Sequence, residues 1–105
     1  MSFLIEELNK NVYEITTPFI DDSNDYITVY AFIKGNKMTI TDNGETISNL
    51  ILKGKNLDVD EILDRFGVHR NKNEIYIKAT QENFSTKIYT LIQALIIIYE
   101  KKEHE

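Results

Sequence analysis

Residues 24–48, NDYITVYAFIKGNKMTITDNGETIS, decide the fold of this chain. They contain two runs rich in β-branched and aromatic residues, separated by the dipeptide Gly35-Asn36. Glycine and asparagine tolerate the positive φ angles of a two-residue hairpin turn, so the stretch predicts two antiparallel strands. The triplet Asp-Asn-Gly that begins at Asp42 then predicts a sharp turn out of the second strand into a helix.

The segments on either side of this hairpin have simpler patterns. Phe3, Leu4 and Leu8 fall on one side of a short amphipathic helix, and residues 12–17 alternate as a strand. Beyond the hairpin, the apolar spacing predicts one or two short helices, a strand over residues 74–79 and a long final helix.

The predicted order is helix-strand-strand-strand-helix-helix-strand-helix, which is typical of the α+β class. We therefore expect a small, mostly antiparallel, four-stranded sheet with the helices packed on it. One proline and four glycines leave no room for a flexible linker, so a single domain is expected over residues 1–105. Residues 101–105 form a charged tail that is expected to fray.

The final helix carries more apolar surface than one buried stripe requires. Phe84, Ile88 and Leu95 belong to its main stripe, whereas Ile97 and Ile98 are predicted to point away from it. Either the domain covers this helix on two sides, or Ile97 and Ile98 form a homodimer contact.

Charge and composition limit the classes of partner. The formal net charge is −5 and the pI is about 5.0, which argues against broad electrostatic binding to nucleic acid or to an anionic membrane. The same charge suits a basic protein surface. The chain has no cysteine, no signal-peptide pattern at its start and no apolar run long enough to span a bilayer, so we expect a cytoplasmic protein.

Five acidic residues form the candidate binding site, and two interpretations of them stay open. In the first, the carboxylates bind a divalent metal ion, although the spacing fails the twelve-residue calcium loop. In the second, aspartate, asparagine and glycine serve the backbone, with Asp42 capping the helix that follows and Gly44 supplying a positive φ. The five residues are Asp21, Asp22, Asp25, Asp42 and Glu45.

The order of elements is also similar to the core of the restriction-endonuclease-like superfamily. Those nucleases place one acid near the second strand and an acid-x-lysine pair on the third, so that metal and lysine activate water. Asp25 and Asp42 stand at suitable places, but Gly44 occupies the lysine position and Lys37 lies at the far end of its strand. We therefore assign no catalytic residue, metal ligand or cofactor.

Four tyrosines lie on predicted strands that can sit side by side. Such a face binds a protein or a nucleic-acid base in some proteins, and in others it is core beneath a helix. The four are Tyr13, Tyr26, Tyr30 and Tyr76.

Several short motifs together resemble one uncharacterised bacterial and phage family, domain of unknown function eighteen-twenty-eight. The most specific of them is Thr-Asp-x-Gly-x-Thr over residues 41–46. The others are Thr17-Pro18-Phe19 with Asp21, Asn24-Asp25 with Ile27, Asn83-Phe84, and Leu91-Ile92-Gln93-Ala94. The family implies no established reaction, but its members occur in Gram-positive bacteria and on their phages and mobile elements.

The net negative charge, the incomplete set of catalytic residues and the occurrence of the family on phages and mobile elements lead to one functional hypothesis and one alternative. We expect a small, acidic, non-enzymatic module that binds a host or phage protein, in one version an anti-CRISPR-like inhibitor that occludes a host defence nuclease. The alternative is a metal-dependent nuclease, or an inactive relic of one, that uses Asp25 and Asp42.

Overall fold

The computed structural model describes residues 2–101 as one α+β domain. The strands are β1 (Leu4–Asn9), β2 (Val12–Ile20), β3 (Tyr26–Lys34), β4 (Lys37–Thr41), β5 (His69–Asn71) and β6 (Glu74–Thr80). The helices are α1 (Glu45–Leu52), α2 (Val59–Phe66) and α3 (Phe84–Glu100). Most of the tail that was expected to fray, residues 102–105, lies outside the described residues.

All the described strands form one antiparallel sheet in the order β1-β2-β3-β4-β6-β5. The central hairpin is confirmed, with Lys34 opposite Lys37 and Tyr30 opposite Thr41. Gly35 supplies the positive φ of the turn, +62°. The α+β class and the antiparallel pairing are therefore as the sequence predicts.

The predicted first helix is wrong, because residues 4–9 form edge strand β1. Asn9 pairs with Val12 across a turn in which Asn11 takes a φ of +65°. Every residue of β1 is exposed, including Leu4 at 70%. The segment is therefore held by backbone hydrogen bonds to β2 and not by burial of an apolar stripe, which is the signal that the helix prediction used.

The sheet has six strands instead of the predicted four. Besides β1, the prediction omitted β5, which pairs with β6 through His69–Tyr76, Arg70–Ile75 and Asn71–Glu74. At three exposed residues, β5 is too short to show an alternating pattern.

The helices cover one face of the sheet and leave the other open. On β3, Ile27, Val29 and Ala31 are buried in the core, whereas the alternate positions are partly or largely exposed. The core continues through Ile40 on β4 and Ile77 on β6 into the apolar faces of the helices. Alternate residues along each strand thus point to opposite faces of the sheet, one face toward the helices and the other toward solvent.

The final helix packs its apolar stripe on the sheet and on α2. Ile98 is 0% exposed within the core, so the domain itself covers this side chain, which is the first of the two alternatives for this end of the helix. Ile97 is half-buried and lies with Phe66 and Ile96 beside a shallow apolar depression. Among the described helices, none combines the length and the apolar character that a membrane crossing requires.

Candidate functional site

Asp42 lies at the centre of the candidate site, directly after β4, and is 1% exposed. Its Oδ1 accepts hydrogen bonds from the backbone N–H groups of Gly44 and Ile75, at 2.9 and 3.0 Å. Its Oδ2 accepts a third from the N–H of Thr46 at 3.1 Å, in the first turn of α1. One carboxylate therefore joins the β4–α1 turn to β6, which agrees with the backbone interpretation of this residue.

The other residues of the Thr-Asp-x-Gly-x-Thr motif complete the same turn. Gly44 takes a φ of +83°, and a Cβ there would lie 3.7 Å from the Cβ of Asn73. Thr41 accepts a hydrogen bond from the N–H of Asn43 and donates one to Glu74 at 2.7 Å. The most specific motif of the sequence is thus a structural connection between β4, α1 and β6.

Behind this turn, a buried hydroxyl connects α1 to α3. The Tyr99 hydroxyl accepts a hydrogen bond from Asn49 at 3.2 Å and donates one to Thr46 at 3.4 Å. Burial raises the pKa of Tyr99, so the phenol stays neutral and holds the two helices together.

Asp21 organises the loop between β2 and β3. Its Oδ1 accepts the N–H groups of Ser23 and Asp25, at 2.7 and 3.1 Å, and its own N–H donates to the carbonyl of Asp25. Asn24 supplies a positive φ of +65°. The loop is therefore a tight turn made by an aspartate side chain, and it holds the side chain of Asp25 in solvent.

Asp22 forms ion pairs with two lysines of the linker between α1 and α2. Its carboxylate oxygens lie 2.6 Å from the Nζ of Lys53 and 2.9 Å from that of Lys55. Burial opposes ionisation, but the hydrogen bonds from the two lysines outweigh it and lower the pKa of Asp22. Asp22 is therefore an anchor for the loop.

Glu45 lies close enough to three of the other acids for their charges to act on it. Burial, followed by the charges of Asp42, Asp21 and Asp25, raises the pKa of Glu45. A polar crevice of about 10 Å³ lies among these groups, which is room for about one water molecule. The structure thus places four of the five predicted acids in one neighbourhood and sends the fifth, Asp22, to a separate ion pair.

Two exposed apolar side chains stand beside these acids. Ile20 and Tyr26 are opposite each other on β2 and β3 and are 52% and 62% exposed. We refer to Ile20, Asp21, Asp25, Tyr26 and Glu45 as the acidic–aromatic surface. The sequence indicated its acids and placed Tyr26 among the strand tyrosines, but it gave no signal for Ile20, whose exposure depends on which face of the sheet the helices leave uncovered.

The nuclease hypothesis requires an acid and a lysine that are free to bind metal and activate water, and Asp42 and Lys37 are not arranged in this way. Asp42 is committed to three backbone donors, and Lys37 starts β4 at the end opposite to Asp42. Within residues 2–101, no three histidine, aspartate or glutamate side chains are grouped as a metal ion would require.

Fold and site together define a small α+β domain with one open sheet face and an acidic, partly apolar surface at one end. The chain belongs to the family described as Domain of unknown function DUF1828, whose model matches residues 17–98. The match runs from within β2 to within α3, so β1 lies outside it. Comparisons with curated proteins and with solved structures gave no match.

Proposed function

We propose that this protein is a non-enzymatic binding module that docks the acidic–aromatic surface on a basic surface of a partner protein. The observation that carries the proposal is the exposed pair Ile20 and Tyr26, set among the carboxylates of Asp21, Asp25 and Glu45. Tyr26 is 62% exposed within the part of the chain that the structure describes.

The chemistry of this surface suits protein recognition. A tyrosine presents a rigid apolar ring and a polar hydroxyl, and such anchors dominate the binding energy of many interfaces. The surrounding carboxylates contribute orientation and association rate, because they attract a basic partner over a Debye length. Asp42 and Asp22 hold the backbone of this region in place and are not part of the proposed contact.

The partner class follows from charge and from family setting. Enzymes that handle nucleic acid carry basic surfaces that contact phosphates. Given the resemblance to a family found on phages and mobile elements, a host defence nuclease is the version of the proposal that we favour. Occlusion of its basic surface by Asp25, Tyr26 and Glu45 would then inhibit it without any chemistry.

Site-specific photocrosslinking would test the location of the contact. A photoreactive phenylalanine analogue at position 26 should crosslink a distinct protein in the native host, whereas the same analogue at Tyr89 should not. Tyr89 is a matched control because it is also an exposed tyrosine, at 44%, and lies on α3. Equal crosslinking of the same protein from both positions would contradict the proposal.

Charge reversal would then test the electrostatic part on the purified pair. Asp25→Lys with Glu45→Lys should slow association and weaken its dependence on salt, because the acids steer the encounter. Glu61→Lys with Asp64→Lys, on the exposed side of α2, changes the net charge by the same amount and should leave the association rate close to wild type. Identical rates for all variants would remove the acidic surface from the proposal.

A further inference from the structure

The open face of the sheet carries a groove at the end opposite to the acidic–aromatic surface. Its volume is about 780 Å³, which lies within the range of small-molecule sites. Strand β3 joins the two regions, because Tyr26 begins it and Lys34 ends it. We call this site the basic groove, and its side chains on the open face are Phe32, Lys34, Lys37, Thr39, Lys78 and Thr80.

The basic groove concentrates positive charge in a chain of net charge −5. Three lysines line it, and none of its lining residues is an aspartate or glutamate. Lys34 and Lys37 are direct cross-strand partners, an arrangement that destabilises a sheet when both are charged. An anion bound between them would relieve this repulsion.

The third lysine is already positioned. The Nζ of Lys78 donates to the hydroxyl of Thr39 at 2.8 Å and lies 5.6 Å from the ring centre of Tyr76. Two contacts of this kind restrict the long side chain before any ligand arrives, and restriction lowers the entropy cost of binding.

A planar apolar group has a place beside these charges. Phe32 is 42% exposed on the open face and lies opposite Thr39, in the same row as Lys78. Lys34 and Lys37 form the next row, two residues further along their strands, or about 7 Å away. One nucleotide can span this separation, with its base on Phe32 and its phosphates among the lysines.

Carboxylates border the basic groove on the side away from Lys34 and Lys37. In the next row of the open face, Glu14 lies opposite Tyr30, and Glu74 accepts a hydrogen bond from Thr41. A nucleic-acid strand that continued along the sheet would bring its phosphates against these acids, which disfavours it. The site therefore suits a ligand of one nucleotide and not a polymer.

We propose that the basic groove binds a nucleoside phosphate, with Phe32 stacking on the base and Lys34, Lys37 and Lys78 contacting the phosphates. An aromatic ring can stack on the face of any nucleobase, and a lysine binds phosphate as a point charge. This site is separate from the acidic–aromatic surface, so the two proposals stand or fall independently.

Calorimetric titration of the full-length protein with ATP, adenosine and tripolyphosphate at low salt tests the proposal. ATP should bind, and the other two should each bind at least about tenfold more weakly, because adenosine lacks the phosphates and tripolyphosphate lacks the base. Equal affinity for tripolyphosphate would overturn the role of Phe32. Absence of ATP binding would overturn the whole proposal, and so would tighter binding of a single-stranded oligonucleotide.

Three variants locate the binding within the molecule. Phe32→Ala and Lys37→Glu should each weaken ATP binding by about tenfold or more, the loss of one good contact. Lys72→Glu is the matched control, since Lys72 is exposed in the β5–β6 turn at the other end of the sheet. Equal affinity of Lys37→Glu and Lys72→Glu for ATP would place the ligand elsewhere and refute the site. Circular dichroism and urea midpoints establish that each variant is folded.

Discussion

Replacement of Asp42 by alanine tests whether this carboxylate holds the domain together. The change removes the acceptor of three backbone N–H groups, those of Gly44, Thr46 and Ile75. An unpaired buried donor costs about 1–3 kcal/mol, so three donors give about 3–9 kcal/mol. Water that enters from the adjoining crevice offsets part of this cost, and we expect a loss of about 3–5 kcal/mol in the free energy of unfolding.

Equilibrium unfolding in urea measures this loss, with two matched variants beside Asp42→Ala. Asp42→Asn keeps the shape and one acceptor but turns an N–H₂ group toward a backbone donor, so its stability should fall between alanine and wild type. Asp25→Ala removes an exposed carboxylate from the same neighbourhood and should stay within about 0.5 kcal/mol of wild type.

The order of the urea midpoints of the three variants shows whether Asp42 is a structural anchor. If Asp42→Ala unfolds at the same urea concentration as Asp25→Ala, with an unchanged slope, Asp42 is not a structural anchor. Its carboxylate would then be available for binding or catalysis, and the nuclease hypothesis would gain weight. A test for cleavage of DNA and RNA with magnesium or manganese would be the next experiment.

Three further predictions concern single side chains. The pKa of Glu45 is raised in the folded state, so the stability of the protein falls as pH rises from the ordinary pKa of 4.5 through the raised pKa. Glu45→Gln should remove this pH dependence and raise the urea midpoint at neutral pH. Asp22 has a lowered pKa, so its stabilisation is present above 3.8 and is lost as pH falls through the lowered value; Asp22→Asn should cost about 0–1 kcal/mol at neutral pH, and less in high salt. Ile98→Glu should unfold the protein by burying a charge, whereas Ile97→Glu should leave it folded and, if a homodimer forms through α3, make it monomeric by light scattering.

The central part of the fold could be predicted because its signals are local. The alternating run of β3, the turn at Gly35 and the stripe of α3 each appear within one element, and the structure contains all three. Strand β1 could not be predicted in this way, because its pairing with β2 depends on backbone hydrogen bonds, whereas its apolar residues have a helical spacing although they are exposed. Strand β5 has only three residues, which is too few to show any pattern.

The candidate site shows the same division. Asp42 and Gly44 were interpretable, because an Asp-Asn-Gly turn before a helix has few other uses. The separate role of Asp22 required the positions of Lys53 and Lys55, more than thirty residues away in the chain. The exposure of Ile20 and Tyr26 depends on which part of the sheet the helices leave uncovered, which no single segment encodes.

The affinity of the partner crosslinked at position 26 tests the functional proposal most directly. Tyr26→Ala should weaken this complex by at least about 2 kcal/mol, or roughly thirtyfold, the loss typical of an aromatic anchor. Tyr89→Ala should leave the affinity unchanged, and Tyr26→Ala should unfold at the same urea concentration as wild type. Tyr89→Ala loses the contact of its ring with that of Phe3, 5.3 Å away between ring centres, so its urea midpoint should be somewhat lower. Equal affinities for Tyr26→Ala and wild type would contradict the proposal that the acidic–aromatic surface is the binding site.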